Sequence, residues 1–272
     1  EDFELAPWLN GINFDTSVVY DDNVTRSSVK ADVLSDTTYQ ANFSRSWKGG
    51  EYVNARHAIT LNWGGERWAN YHGLDRLYVD LDAQWQYRAS GDFGTPIWSV
   101  LGKGVYENFG SDLRDGTRLG VGGSVWLPLT DRMQMTGTLM REARNATSRV
   151  FDAQNTVFKL GVDYNMLSSN VLYMGAEWRQ GDQVSSGRPS LASLDVARMF
   201  VADDAFAGSP YTAYRFKGRS ALYTLGLYVP LGGRDAIDFS WRLIDSSPNV
   251  VPISGPIRYR VNQLSIVYQQ NF

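Results

Sequence analysis

Apolar and polar residues alternate along most of this chain, and helical spacing is sustained almost nowhere. The clearest run extends from Leu77 to Arg88: Leu77, Val79, Leu81, Ala83, Trp85 and Tyr87 fall on one parity, Tyr78, Asp80, Asp82, Gln84, Gln86 and Arg88 on the other. A period of two separates the faces of a strand, whereas a helix would mix the two sets. Phe158, Leu160, Val162, Tyr164 and Met166 alternate in the same way with Lys159, Asp163 and Asn165. Ile237, Phe239, Trp241 and Leu243 do so with Asp238, Ser240 and Arg242.

The pattern predicts twelve strands, near 11–20, 37–47, 54–64, 76–89, 96–108, 117–127, 132–143, 154–166, 171–181, 217–230, 235–245 and 258–272. Alternate connections are short and rich in turn formers: Lys48-Gly49-Gly50, Ser90-Gly91-Asp92, Pro128 to Asp131, Leu167 to Asn170 and Pro230 to Gly233. The others, near 21–36, 65–75, 109–116, 144–153, 182–216 and 246–257, are longer. An even number of strands with short turns at one end and long loops at the other is the plan of a transmembrane β-barrel. The expected fold class is therefore all-β, an antiparallel transmembrane barrel of about twelve strands with short periplasmic turns and long extracellular loops. No linker or charge block divides the chain, so residues 1–272 read as a single barrel domain. A weak echo links Val125-Trp126-Leu127-Pro128-Leu129 with Leu227-Tyr228-Val229-Pro230-Leu231, and similar hairpins meeting similar turns account for it.

Lipocalins and sandwiches also alternate, so the decision rests on which face is buried in what. A soluble barrel of twelve strands would enclose more lumen than this chain could fill with aliphatic side chains. Turned outward, the same apolar face meets lipid and the lumen stays polar. The polar faces then supply the pore lining: Asp80, Asp82, Arg88, Lys103, Glu107, Arg118, Lys159, Asp163, Glu177, Arg179, Arg219, Asp238 and Arg242, flanked by Asp15, Arg56 and Glu142. Both signs recur, which allows pairing across the lumen. Aromatics near the ends of the apolar faces, among them Tyr20, Trp47, Trp63, Tyr87, Trp98, Tyr106, Trp126, Tyr164, Trp178, Trp241 and Tyr268, suit the headgroup boundary.

Composition narrows the chemistry. The chain has 26 basic and 29 acidic residues, a formal charge of -3, and so lacks the basic footprint of a nucleic-acid binder. With no cysteine and two histidines, thiolate chemistry and transition-metal cages lose their ligands, and no metal or cofactor is expected. The longest uncharged stretch, between Arg219 and Arg234, is too short for a membrane helix. Glu1 to Leu5 lack the basic start and apolar run of a signal peptide, as a mature chain also would.

The final strand places Leu264, Ile266, Tyr268, Gln270 and Phe272 on one parity and stops on an aromatic ring. In this it resembles bacterial outer-membrane β-barrel proteins, which commonly end an amphipathic last strand that way. The resemblance implies a Gram-negative outer-membrane location, insertion by the barrel-assembly machinery, and outer-membrane lipid and lipopolysaccharide as surroundings. Tyr20-Asp21-Asp22-Asn23-Val24 and Arg258-Tyr259-Arg260-Val261-Asn262-Gln263-Leu264 are more weakly similar to the barrel domains of surface lipoprotein assembly modifiers and related export proteins. Those families carry a repeat domain ahead of a larger barrel, and both points are departures here.

Candidate chemistry is sparse. His57 and His72 have no adjacent serine, so no catalytic residue is assigned and the chain is not expected to be an enzyme; a surface lipid hydrolase is the least favoured reading. Asp21, Asp22, Asp203 and Asp204 lack EF-hand spacing, and the sequons at Asn23, Asn42 and Asn145 carry little weight in a bacterial protein. Arg215, Lys217 and Arg219, with Arg179, either form an anion-attracting patch at the mouth or pair with loop carboxylates such as Asp182 and Asp203. The segment 182–216 is too apolar to wave freely. Leu191, Leu194, Met199, Phe200 and Phe206 are expected to fold it into the lumen as a constriction, with a short helix within Leu191–Phe200. The expected function is passage of a hydrophilic solute or polymer through a polar lumen. The alternative is a barrel subunit of an envelope secretion, export or surface-assembly complex, with a periplasmic or envelope protein partner and little conductance of its own.

Overall fold

The computed structural model describes residues 11–49, 54–167, 169–206, 210–253, 255 and 257–272. Twelve long antiparallel strands close a barrel: β1 (Ile12–Asp21), β2 (Asp36–Lys48), β3 (Ala55–Trp68), β4 (Arg76–Arg88), β5 (Ile97–Phe109), β6 (Gly116–Pro128), β7 (Met133–Ala146), β8 (Ala153–Asn165), β9 (Val171–Gly187), β11 (Thr212–Gly232), β12 (Asp235–Pro248) and β13 (Tyr259–Asn271). Each pairs with the next in sequence, β9 pairs with β11, and β13 pairs with β1, so the wall has no open edge. A thirteenth strand, β10 (Met199–Ala202), lies within the longest connection. It pairs with Thr212 to Arg215 of β11, above the level at which β12 begins its pairing at Gly218.

Several strands run past their predicted long-loop ends, β3 to Trp68, β7 to Ala146 and β12 to Pro248 among them, and two depart furthest. β9 continues to Gly187 and β11 starts at Thr212, paired in register from Thr212↔Gly187 to Tyr228↔Val171, so the predicted 182–216 connection contracts to 188–211. The reason is physical: alternation is imposed by lipid, and these ends stand above it against other loops, where Ser185 and Ser186 are as buried as Ala213 and Phe216.

At mid-strand height the outward parity is apolar around the wall. Leu77, Leu119 and Val121 are 65 %, 62 % and 62 % exposed, and Val100, Leu139, Met174, Leu225, Phe239 and Ile266 continue the belt. A continuous apolar belt of this kind is a lipid-facing surface. Trp47, Tyr87, Trp98 and Tyr164 ring its short-turn end, and Tyr20, Tyr39 and Tyr106 its long-loop end. Thirteen residues at about 3.3 Å, inclined at about 40°, rise about 30 Å, enough to cross a hydrocarbon core. None of the helices among the described residues is long and apolar enough to do so. The tightly packed residues instead gather at the long-loop end, where three small apolar clusters sit under the loops.

Candidate functional site

Twelve of the thirteen charged positions proposed for the lumen lie on the parity opposite the exposed apolar row of their strand: Asp80, Asp82 and Arg88 on β4, Lys103 and Glu107 on β5, Arg118 on β6, Lys159 and Asp163 on β8, Glu177 and Arg179 on β9, Asp238 and Arg242 on β12. Arg219 does not. It shares its parity on β11 with exposed Tyr223 and Leu225, and therefore stands on the outer wall. Its neighbours Arg215 and Lys217 drew it into one cluster by sequence, but all three sit on the outward parity, above the lipid belt.

Inside, opposite charges meet laterally between strands at most two apart, and not across the lumen as their alternation allowed. Lys103 bonds Asp80 at 2.5 Å and Asp82 at 3.3 Å. Glu177 accepts from Arg179 at 2.8 Å and pairs with Lys159 at 3.3 Å, and Arg179 stands 4.0 Å from Glu142. Glu107, fully buried, gathers Arg76 at 2.5 Å, Arg118 at 3.0 Å and Arg144 at 3.2 Å, while Arg76 also bonds Glu66. Neighbouring strands lie about 4.8 Å apart, within reach of one side chain, whereas the facing wall is several strands away. Nearer the short turns, Gln134 donates to Asp163 at 2.9 Å and Arg88 donates to the carbonyl of Asp92 at 2.9 Å. The Tyr173 hydroxyl crosses over Gly226 to donate to Asp238 at 2.8 Å, a path open because Gly226 has no side chain. Three guanidiniums against the two carboxylates of Glu107 and Glu66 leave that region electropositive, while Asp80 and Asp82 share one ammonium and leave theirs electronegative.

The loop 188–211 closes over the long-loop end. Its helix α1 (Leu191–Val196) starts at a capping box in which Ser190 and Ser193 satisfy each other's backbone amides. Ala192, Val196 and Ala197 pack on Tyr214, Phe216, Ile257, Tyr259 and Val261. Leu191, Leu194 and Phe200, expected in the constriction, lie off that packed cluster and are 71 %, 56 % and 44 % exposed; Phe200 stands opposite Tyr214, on the lumen-facing parity of β11. In so short a helix, positions 192 and 196 take the packed face and leave 191 and 194 outside it. Met199 is half-buried against the Val150–Phe151–Ala213 cluster. Phe206 is the residue that enters: it is 1 % exposed, among Val24, Tyr211, Leu34, Trp68, Tyr71 and Leu74. Its neighbour Ala205 rests on Gly73 so closely that a Cβ there would stand 2.3 Å from the Ala205 Cα.

A polar latch holds this plug. Asp203, buried, accepts from both terminal nitrogens of Arg114 at 2.8 Å and from Ser186, and Ser111 donates to Asp204. Arg114, Ser111 and Gly73 lie in loops whose sequence carries no periodic signal of this role, and the sequence shows Asp203 and Asp204 only as carboxylates. These and Asp21 and Asp22 are occupied by protein donors: Arg26 and Gln263 hold Asp21, each at 2.7 Å, and Asn262 holds Asp22 at 2.7 Å. Burial opposes the Arg26 charge, but Asp21 more than offsets it and the Arg26 pKa is raised. Among the described residues, no cluster of three potential metal ligands occurs. Lys217 pairs with Asp182 at 2.8 Å, the loop-carboxylate arrangement, and Arg215 donates to the Asp152 carbonyl at 3.0 Å. His72 faces Asp75 at 3.4 Å, and His57 lies beside Gly49 near the short-turn end.

No protein-family model and no curated protein matches this sequence. Solved structures do match its shape. The COG4313 outer membrane channel from Pseudomonas putida F1 aligns over 100 % of this chain and 98 % of its own, with a TM-score of 0.57 at 10 % identity. The NanC porin aligns over 95 % of this chain and 100 % of its own, with a TM-score of 0.50 at 10 % identity. At that identity the likeness concerns the fold, and the fold is that of a bacterial outer-membrane β-barrel.

Proposed function

We propose that the chain is a channel of the bacterial outer membrane, passing a hydrophilic solute or polymer through a polar lumen narrowed by the 188–211 loop. The observation that carries this reading is the pairing of a closed apolar outer wall with an inward ladder of charge. Such a ladder is costly beside lipid and useful only against water or a polar solute. The likeness to the channel and porin above supports the same reading. The plug supports a size-selective mouth: Phe206 and the Arg114–Asp203 latch draw the loop under the rim while the ladder lines the rest of the wall. Electropositive and electronegative stretches at different heights along β4 and β5 suit a solute carrying both polar and charged groups.

The test is single-channel conductance of the purified chain in a planar bilayer, before and after deletion of residues 190–205. Gly187 and Thr212 are ladder partners, so the shortened loop still joins adjacent strand ends. Stable steps that enlarge on deletion are expected. A folded barrel silent in both forms overturns the channel reading and turns attention to an envelope-complex partner.

A further inference from the structure

The outer wall carries a polar feature for which the channel has no use. In register across five strands lie Arg141 of β7, Thr156 of β8, Gln180 of β9, Arg219 of β11 and Ser247 of β12. Two residues closer to the short turns, the same face carries Leu139, Phe158, Trp178 and Ala221 in register, with Asp245 beside Ala221 on β12 where the apolar row ends. One step of about 7 Å along the strands thus converts a polar row into an apolar one, the change met between headgroups and hydrocarbon.

Between the two rows runs a groove of about 720 Å³, with Phe158, Trp178 and Tyr223 among its walls and Gln180, Arg219 and Arg258 at its polar end. Phe158 and Trp178 stack with centroids 5.6 Å apart, giving it a flat apolar floor. Asp245 is the carboxylate that borders it, and that is already held by Arg258 at 2.7 Å and Arg260 at 3.1 Å. The Arg219 side chain has no hydrogen bond or ion pair among the described residues, although its backbone stands in the ladder between Gln180 and Ser247. Three guanidiniums against one carboxylate therefore leave excess positive charge over an aromatic trough, in a chain whose net charge is negative. A guanidinium presents paired N–H donors that fit phosphate oxygens, and flat rings accept an acyl chain.

We propose that this groove binds a phosphate-bearing lipid of the outer leaflet, with its phosphate on Arg219 and Arg258 and an acyl chain along Phe158, Trp178 and Tyr223. A zwitterionic lipid meets the rings equally well but leaves the excess charge unmatched. The charge, not the apolar area, is what selects the ligand.

The experiment counts lipids retained by the folded barrel in native mass spectrometry, so its outcome is independent of conductance. Probes are lipopolysaccharide, the same lipid after enzymatic dephosphorylation, and inorganic phosphate as competitor. Retention of lipopolysaccharide is expected to weaken about fivefold to tenfold in Arg219→Gln and further in Arg219→Gln/Arg258→Gln. Trp178→Ala should weaken the phosphorylated and dephosphorylated lipids alike, and Arg67→Gln, on the outer face of β3, should change neither. Equal retention of phosphorylated and dephosphorylated lipid overturns the proposal, as does a double variant that binds like the parent. Full displacement by millimolar phosphate also overturns it, because it reduces the site to a bare anion contact.

Discussion

At the scale of single residues, the latch at the mouth is where charge and packing meet. The Arg114 and Asp203 side chains are 9 % and 0 % exposed, and the guanidinium also lies over the Phe151 ring at 4.2 Å. Removing one partner of such a buried pair leaves the other charge without its counter-ion, which costs about 3–5 kcal/mol. Arg114→Ala is therefore expected to release the segment around Ala205 and Phe206 while the wall strands stay protected. Hydrogen exchange checks this: faster exchange confined to 200–206 is the expected result, and unchanged protection there would mean that Phe206 alone holds the plug. Asp203 was noticed by its chemistry and Phe206 by its hydrophobicity; Arg114 was invisible until the loops were brought together.

At the scale of elements, strand pairing explains a feature that alternation leaves open. β11 separates β9 from β12, yet Tyr173 on β9 reaches Asp238 on β12 because Gly226 leaves the intervening backbone bare. A Cβ on Gly226 would lie 2.1 Å from the tyrosine ring. Gly226→Val should displace that ring and break the bond, lowering stability by about 1–3 kcal/mol. Thermal unfolding of the variant should recover when Tyr173→Leu is added, since the smaller side chain gives the new methyl groups room. A loss of stability that Tyr173→Leu leaves uncorrected would place the strain in the backbone instead. The same paired register extends β9 and β11 beyond their predicted limits, where the run from Asp182 to Gly187 carries no alternation to announce a strand.

At the scale of the whole molecule, the field inside the barrel is a sum over walls that are individually close to neutral. A local positive imbalance lies at Glu107, where Arg76, Arg118 and Arg144 converge and Glu66 is the second carboxylate. Glu107→Gln keeps the shape and removes that charge, so the lumen should turn more anion-selective. The reversal potential across a salt gradient measures it: a shift toward anions is expected, and no shift would show that permeating ions do not sense this part of the wall. Lateral pairing also means that, among the described residues, no ion pair between facing strands crosses the lumen. Narrowing falls instead to the loop.

Sequence alone determined the barrel. A period of two over a dozen segments, short and long connections in alternation, and rings at strand ends all arise from one physical demand: each strand has lipid on one side and polar groups on the other. That demand is local, so each strand declares it by itself. It also set the inward parity of the charged residues wherever the strand lay within the apolar belt. Above the belt the demand ends, and there the tertiary structure alone decided the arrangement. It placed Arg219 on the outer wall, left Leu191 and Leu194 off the packed face of α1, buried Phe206 among the loops, and joined Arg114 to Asp203 across 89 residues of chain. Those choices depend on which loops stand side by side when the last strand pairs with the first, and no single segment carries that information.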